Sequence, residues 1–88
     1  MESNKIEIIA VFKKDITLEG AQVILSKSGI KYREGMDSSR GKLYFYKTGP
    51  KFILTFETKA EREKFTAAYE NAEEIYELYM PDWTIQKD

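Results

Sequence analysis

The sequence predicts an α+β domain with the succession β-α-β-β-β-α-β, its two helices lying on one face of an antiparallel sheet. Three observations point there. Ile6, Ile8, Ala10 and Phe12 alternate with Ile9 and Val11, so the opening run is apolar on both parities, as a central strand covered on both faces requires. Leu18, Ala21, Ile24, Leu25 and Ser28 recur at helical spacing, and a second helical pattern follows Thr58. Between the two, Lys42–Phe56 holds two runs rich in aromatic and β-branched residues around Gly49-Pro50, the strongest hairpin signal in the chain.

Taken in order, Lys5 to Lys13 is the central strand and Lys13-Lys14-Asp15 its polar exit. Thr17 suits an N-cap, Glu19 lies where the positive end of the helix dipole favours it, and Gly29 is a natural terminator, which gives a helix over 17–28. Gly20 in its first turn costs about 1 kcal/mol relative to Ala, so either the packing there is close or the helix starts late. Ile30–Glu34 alternates and reads as a short strand with Ile30 and Tyr32 inward, and Gly35–Gly41 has turn chemistry throughout.

In the hairpin, Gly49 takes the first central position of a type II′ turn. That turn sets Tyr46 opposite Ile53, Phe45 opposite Leu54, Tyr44 opposite Thr55 and Leu43 opposite Phe56. Leu43, Phe45, Leu54 and Phe56 then form the core face, and Tyr44, Tyr46, Ile53 and Thr55 a partly wet one. Thr58-Lys59-Ala60-Glu61 is a capping box opening a helix whose buried stripe is Phe65, Ala68, Tyr69 and Ala72. Two readings of 73–80 stand: the helix runs on to Met80, or Asn71 stops it and Glu74–Tyr79 is a strand, the reading adopted here. Pro81 ends either element, and Trp83 then pins the tail to the body or stays exposed for a partner. Without the additional hairpin strand this order is the split βαβ, ferredoxin-like sandwich.

Eighty-eight residues make one domain, 1–88, with a core over about 5–80 and a C-terminal tail 81–88. Lys and Arg total 14 against 15 Asp and Glu, a balance that argues against a generic electrostatic hold on nucleic acid or anionic lipid. The chain has no cysteine and no histidine, which excludes disulfides, thiolate catalysis, Cys/His zinc sites and His-based triads. No cofactor and no metal is expected. Met-Glu-Ser-Asn-Lys leads into no signal-length apolar core and no 18-residue apolar run exists, so the expectation is a cytoplasmic protein, unless a signal segment has been removed.

Several stretches invite a chemical reading. Ser38, Ser39 and Arg40 beside Asp37 have neither a His base nor a glycine-rich loop entering a helix, and read as turn residues. Glu73-Glu74 and Glu61-Arg62-Glu63-Lys64 read as solvated helix faces, and no enzyme is expected. Arg40-Gly41-Lys42-Leu43-Tyr44-Phe45-Tyr46 is similar to the aromatic strand of RNA-recognition modules, departing from it at Lys42, Leu43 and Lys47. That likeness implies Tyr44 and Tyr46 as stacking platforms for single-stranded nucleic acid; sheet packing is the plainer reading of the same residues. Self-association through the tyrosine face or an open strand edge is a further expectation.

The two ends carry another resemblance. Ile8-Ile9-Ala10-Val11-Phe12-Lys13, a polar break, then a helix and Gly29-Ile30 resemble the start of subtilisin propeptides. The charged helix followed by Glu74-Ile75-Tyr76-Glu77-Leu78-Tyr79-Met80-Pro81-Asp82 resembles the last helix and strand of that propeptide and proteinase-inhibitor family. The resemblance implies the ferredoxin-like fold and inhibition of a subtilisin-type serine protease by a tail laid into its cleft. It assigns Ile85, Gln86, Lys87 and Asp88 to the cleft, with Ile85 in an apolar subsite, and Tyr44 and Tyr46 to docking. No protease domain follows Asp88, so the expected form is a free-standing inhibitor rather than the chaperone of an attached enzyme.

Overall fold

A computed structural model describes residues 6–35 and 42–80. Along the chain run β1 (Ile6–Lys13), α1 (Leu18–Lys27), β2 (Lys31–Glu34), α2 (Lys42–Lys47), β3 (Thr48–Phe56), α3 (Lys59–Tyr69) and β4 (Ile75–Tyr79). The four strands form one open antiparallel sheet in the order β2-β3-β1-β4. β1 is an interior strand, as its two apolar parities predict, and pairs with β3 through Ile8↔Leu54 and Ala10↔Phe52 and with β4 through Ile9↔Tyr79 and Ala10↔Leu78.

One face of this sheet carries the main core. Ile8, Ala10 and Phe12 of β1 and Phe52, Leu54 and Phe56 of β3 meet Ala21 and Leu25 of α1, Phe65 of α3 and Ile75 of β4. Phe12 and Tyr32 both set ring edges against Phe52, at 6.0 and 5.5 Å between centroids, an arrangement the aromatic quadrupole favours. Each such buried side chain contributes about 1.5–3 kcal/mol relative to exposure. On the opposite face Ile9, Val11 and Ile53 form a smaller cluster, with Tyr44 and Tyr79 packed against it.

Local signals fix the helix ends. The Thr17 hydroxyl accepts from the Gly20 N–H at 3.0 Å, and a Cβ at position 20 would come within 3.1 Å of that oxygen, so close packing against the cap explains the glycine. Gly29 closes α1 with φ +70°, the left-handed geometry that helix ends reserve for glycine. At α3 the Thr58 hydroxyl accepts from the Glu61 N–H at 3.1 Å, while the Glu61 carboxylate turns to the N–H of Glu57 rather than that of Thr58. α3 stops at Tyr69, and a turn closed by Ile75 N–H to Ala72 C=O leads into β4, so helix followed by strand is the observed order. Of the expected stripe, Phe65 is buried and Tyr69 stacks on it at 4.6 Å, whereas Ala68 is exposed.

The predicted hairpin does not form. Lys42–Lys47 is helix, Gly49-Pro50 lies inside β3, and the additional hairpin strand is absent. The sheet leaves no place for it, because β3 is bordered on one side by β1 and on the other by β2. Gly49 serves close approach instead of a turn: a Cβ there would run into the carbonyl oxygen of Lys13. The parity expected for the second half holds, with Leu54 and Phe56 in the main core and Ile53 on the opposite face. For the first half it fails, since Leu43 and Phe45 are 69% and 51% exposed.

Phe52→Ala and Leu54→Ala are therefore expected to cost about 2–5 kcal/mol each in urea melts. Phe45→Ala is expected to cost less than about 1 kcal/mol. Comparable losses at Phe45 and Leu54 would restore the hairpin and contradict the packing described.

Candidate functional site

α2 begins from residues that favour strands and is held by its contacts. The Thr48 hydroxyl donates to the Tyr44 carbonyl oxygen at 2.8 Å, satisfying one of the acceptors a helix end leaves open. Tyr44 points to the sheet, half-buried against Ile9, Val11 and Ile53, and its hydroxyl donates to the Glu77 carboxylate of β4. Its ring also meets Tyr76 edge-on at 5.8 Å.

Tyr46 points the other way and is 66% exposed, beside exposed Leu43 and Phe45. Residues two apart share a face in a strand but lie about 200° apart around a helix, so the expected pair of equivalent tyrosines is split into a packing residue and a surface residue. That also removes the aromatic strand on which the nucleic-acid likeness rests. Phe45 and Tyr46 touch at 6.1 Å, and the Lys51 ammonium stands 4.5 Å from the Phe45 ring centre while donating to the Gly49 carbonyl oxygen. Burial pushes the Lys51 pKa below its ordinary value.

A charged pair missed in the sequence lies on the same face of the sheet as Ile9 and Val11. Glu7, fully buried, accepts from Arg33 Nη1 of β2 at 3.2 Å, the guanidinium reaching across β3 to meet it. A buried carboxylate needs such donors, because its desolvation is costly unless it is paired and hydrogen-bonded. Parity puts Glu7 on the face of Ile9 and Val11 and Arg33 opposite the inward Tyr32, but only the strand order brings the two together.

Two further surfaces complete the candidate region. β4 lies at one end of the sheet order and brings the chain to Met80, with Tyr76 and Met80 exposed beside it. On the helical face a cavity of about 470 Å³ opens between the α1–β2 turn and α3, floored by Ile30, Phe56, Phe65 and Tyr69. Ser28 and Tyr69 join hydroxyls across it at 3.0 Å. Ile85, Gln86, Lys87 and Asp88, like Asp37, Ser38, Ser39 and Arg40, lie outside the described residues. Among the described residues no three His, Cys, Asp or Glu side chains gather to hold a metal ion, and no helix is long and apolar enough to cross a membrane. Comparison with protein-family models, curated proteins and solved structures finds no match.

The split between the tyrosines is testable. Tyr44→Phe loses a hydrogen bond to a carboxylate and is expected to lower stability by about 1–3 kcal/mol. Tyr46→Phe is expected to leave the denaturation midpoint within about 0.5 kcal/mol of the parent. Equal effects would mean that both rings stand in the same environment.

Proposed function

We propose that this chain is a non-enzymatic protein-binding module, on a ferredoxin-like plan, that inhibits a subtilisin-type serine protease in the manner of a propeptide. The observation that carries the reading is the end of the second long helix at Tyr69 and the strand Ile75–Tyr79 after it. A helix unbroken to Met80 would have removed the strand that aims the tail. The order β2-β3-β1-β4, with β3 between the parallel β1 and β2 and with α1 and α3 packed into one core cluster, supports the ferredoxin-like plan.

In this reading the tail binds as an extended peptide, and Pro81 biases its predecessor Met80 to the extended geometry that suits strand-like insertion along a protease cleft. Ile85 to Asp88 enter the cleft, and the terminal charge of Asp88 is the poor element of the fit, because it loses hydration in an apolar subsite. Docking surface on the body comes from Tyr46 with Leu43 and Phe45, whose combined exposure is what an apolar contact patch needs. Tyr44 contributes by holding α2 to β4 through Glu77.

The test is inhibition of a subtilisin-type protease. The full chain is expected to inhibit competitively, and deletion of Ile85 to Asp88 to abolish inhibition with the melting temperature nearly unchanged. Asp88→Leu is expected to strengthen it. Digestion of the intact chain without inhibition, or inhibition indifferent to the deletion, would overturn the proposal.

A further inference from the structure

We propose that the outer edge of β2 is a docking site for an extended acidic segment of a partner protein, which adds to the sheet beside β2. The site lies at the opposite end of the sheet order from β4, and does not rest on the inhibitor reading.

The backbone geometry comes first. β2 pairs with β3 through Lys31↔Thr55, Tyr32↔Leu54, Arg33↔Ile53 and Glu34↔Phe52, and the N–H of Gly35 donates to the Lys51 carbonyl oxygen at 3.2 Å. In an antiparallel pair the residues that bond to the neighbour alternate with residues that do not. Lys31, Arg33 and Gly35 therefore direct their backbone groups to β3, while Tyr32 and Glu34 direct theirs outward. Among the described residues β2 is the last strand on its side of the sheet, so those outward groups form a template for one more strand.

Side chains decide what the template accepts. Lys31 and Arg33 are exposed on one face of β2, Arg33 with one guanidinium nitrogen held by Glu7 and the rest of its side chain open, with Lys27 of α1 exposed nearby in sequence and Glu34 the only carboxylate on the strand. A second copy of β2 is disfavoured by like charge. In antiparallel self-pairing that matches the outward groups, a two-fold at Tyr32 sets Lys31 against Arg33, while one at Lys31, Arg33 or Glu34 sets that residue against its own copy. Like charges directly opposite one another are destabilising. Carboxylates at alternate positions of a partner strand reverse the terms at Lys31 and Arg33. The intervening side chains of such a strand fall on the face of Ile30 and Tyr32, the face that carries the main core and the 470 Å³ cavity, whose wall includes Ile30, Phe56 and Phe65 together with Glu57 and Glu61. The occupant is thus a strand that alternates acidic and apolar residues.

The experiment titrates the isotope-labelled full chain with a short acetylated and amidated peptide of alternating Glu and Val, against versions carrying Gln or Lys in place of Glu. The Glu peptide is expected to shift the amide resonances of Tyr32 and Glu34 most, and to bind more weakly as salt rises. Lys31→Glu is expected to weaken its binding roughly threefold to tenfold and to improve that of the Lys peptide. Glu34→Pro, which removes an outward N–H and no ladder bond to β3, is expected to abolish binding. The proposal is overturned if the Glu peptide leaves those amides unmoved, if the Gln peptide binds as well, or if Lys31→Glu changes nothing. It is equally overturned if the amides shift with protein concentration alone, which would make β2 a self-association edge.

Discussion

The burial of β1 on both faces is the constraint from which the rest of the architecture follows. Ile9, Ala10, Val11 and Phe12 are all fully buried, and successive side chains in a strand point to opposite faces, so apolar cover is required above and below. α1 and α3 cover the Ile8, Ala10 and Phe12 side. The Ile9 and Val11 side takes its cover from Tyr44 of α2 and Tyr79 of β4. A strand of this kind also needs a neighbour on each edge to satisfy its backbone, which β3 and β4 supply. With β2 on the far edge of β3, the interior of the sheet is filled.

That constraint separates what was legible in the sequence from what was not. β1, α1, β2, α3 and β4 each announce themselves locally, by parity in Ile6–Phe12, by the cap at Thr17, by alternation in Ile30–Glu34, by the cap at Thr58 and by the strand formers of Ile75–Tyr79. The fate of Leu43–Tyr46 is not local. Its aromatic residues favour a strand, but every edge of β3 is already paired, and the uncovered Ile9, Val11 and Ile53 offer Tyr44 a better place as part of a helix. Gly49 carries the same ambiguity, since a glycine needed for a turn and one needed beside the Lys13 carbonyl look alike in sequence. Of the candidate site, Tyr46 was legible as a surface aromatic. The Glu7–Arg33 pair was not, because it spans two strands whose adjacency to β3 only the topology discloses.

Tyr44 of α2 joins Glu77 and Tyr76 of β4, whereas the exposed Phe45 lies by Lys51 of β3, near Glu34 and Gly35, with Tyr46 against it. The β2 end presents Lys31 and Arg33, the latter held by Glu7. Both ends hang from the same middle strand: Glu7 of β1 holds Arg33 at one end, and Ile9 pairs with Tyr79 at the other.

Native-state hydrogen exchange tests the primacy of β1 most directly. If the sheet is organised around this strand, the amides of Ile8 to Val11 exchange only through global unfolding, whereas those of Lys42 to Lys47 exchange through local opening of a short helix at lower free energy. Protection in Lys42 to Lys47 equal to that of Phe52 to Phe56, or local opening of β1 ahead of β3, would contradict the account.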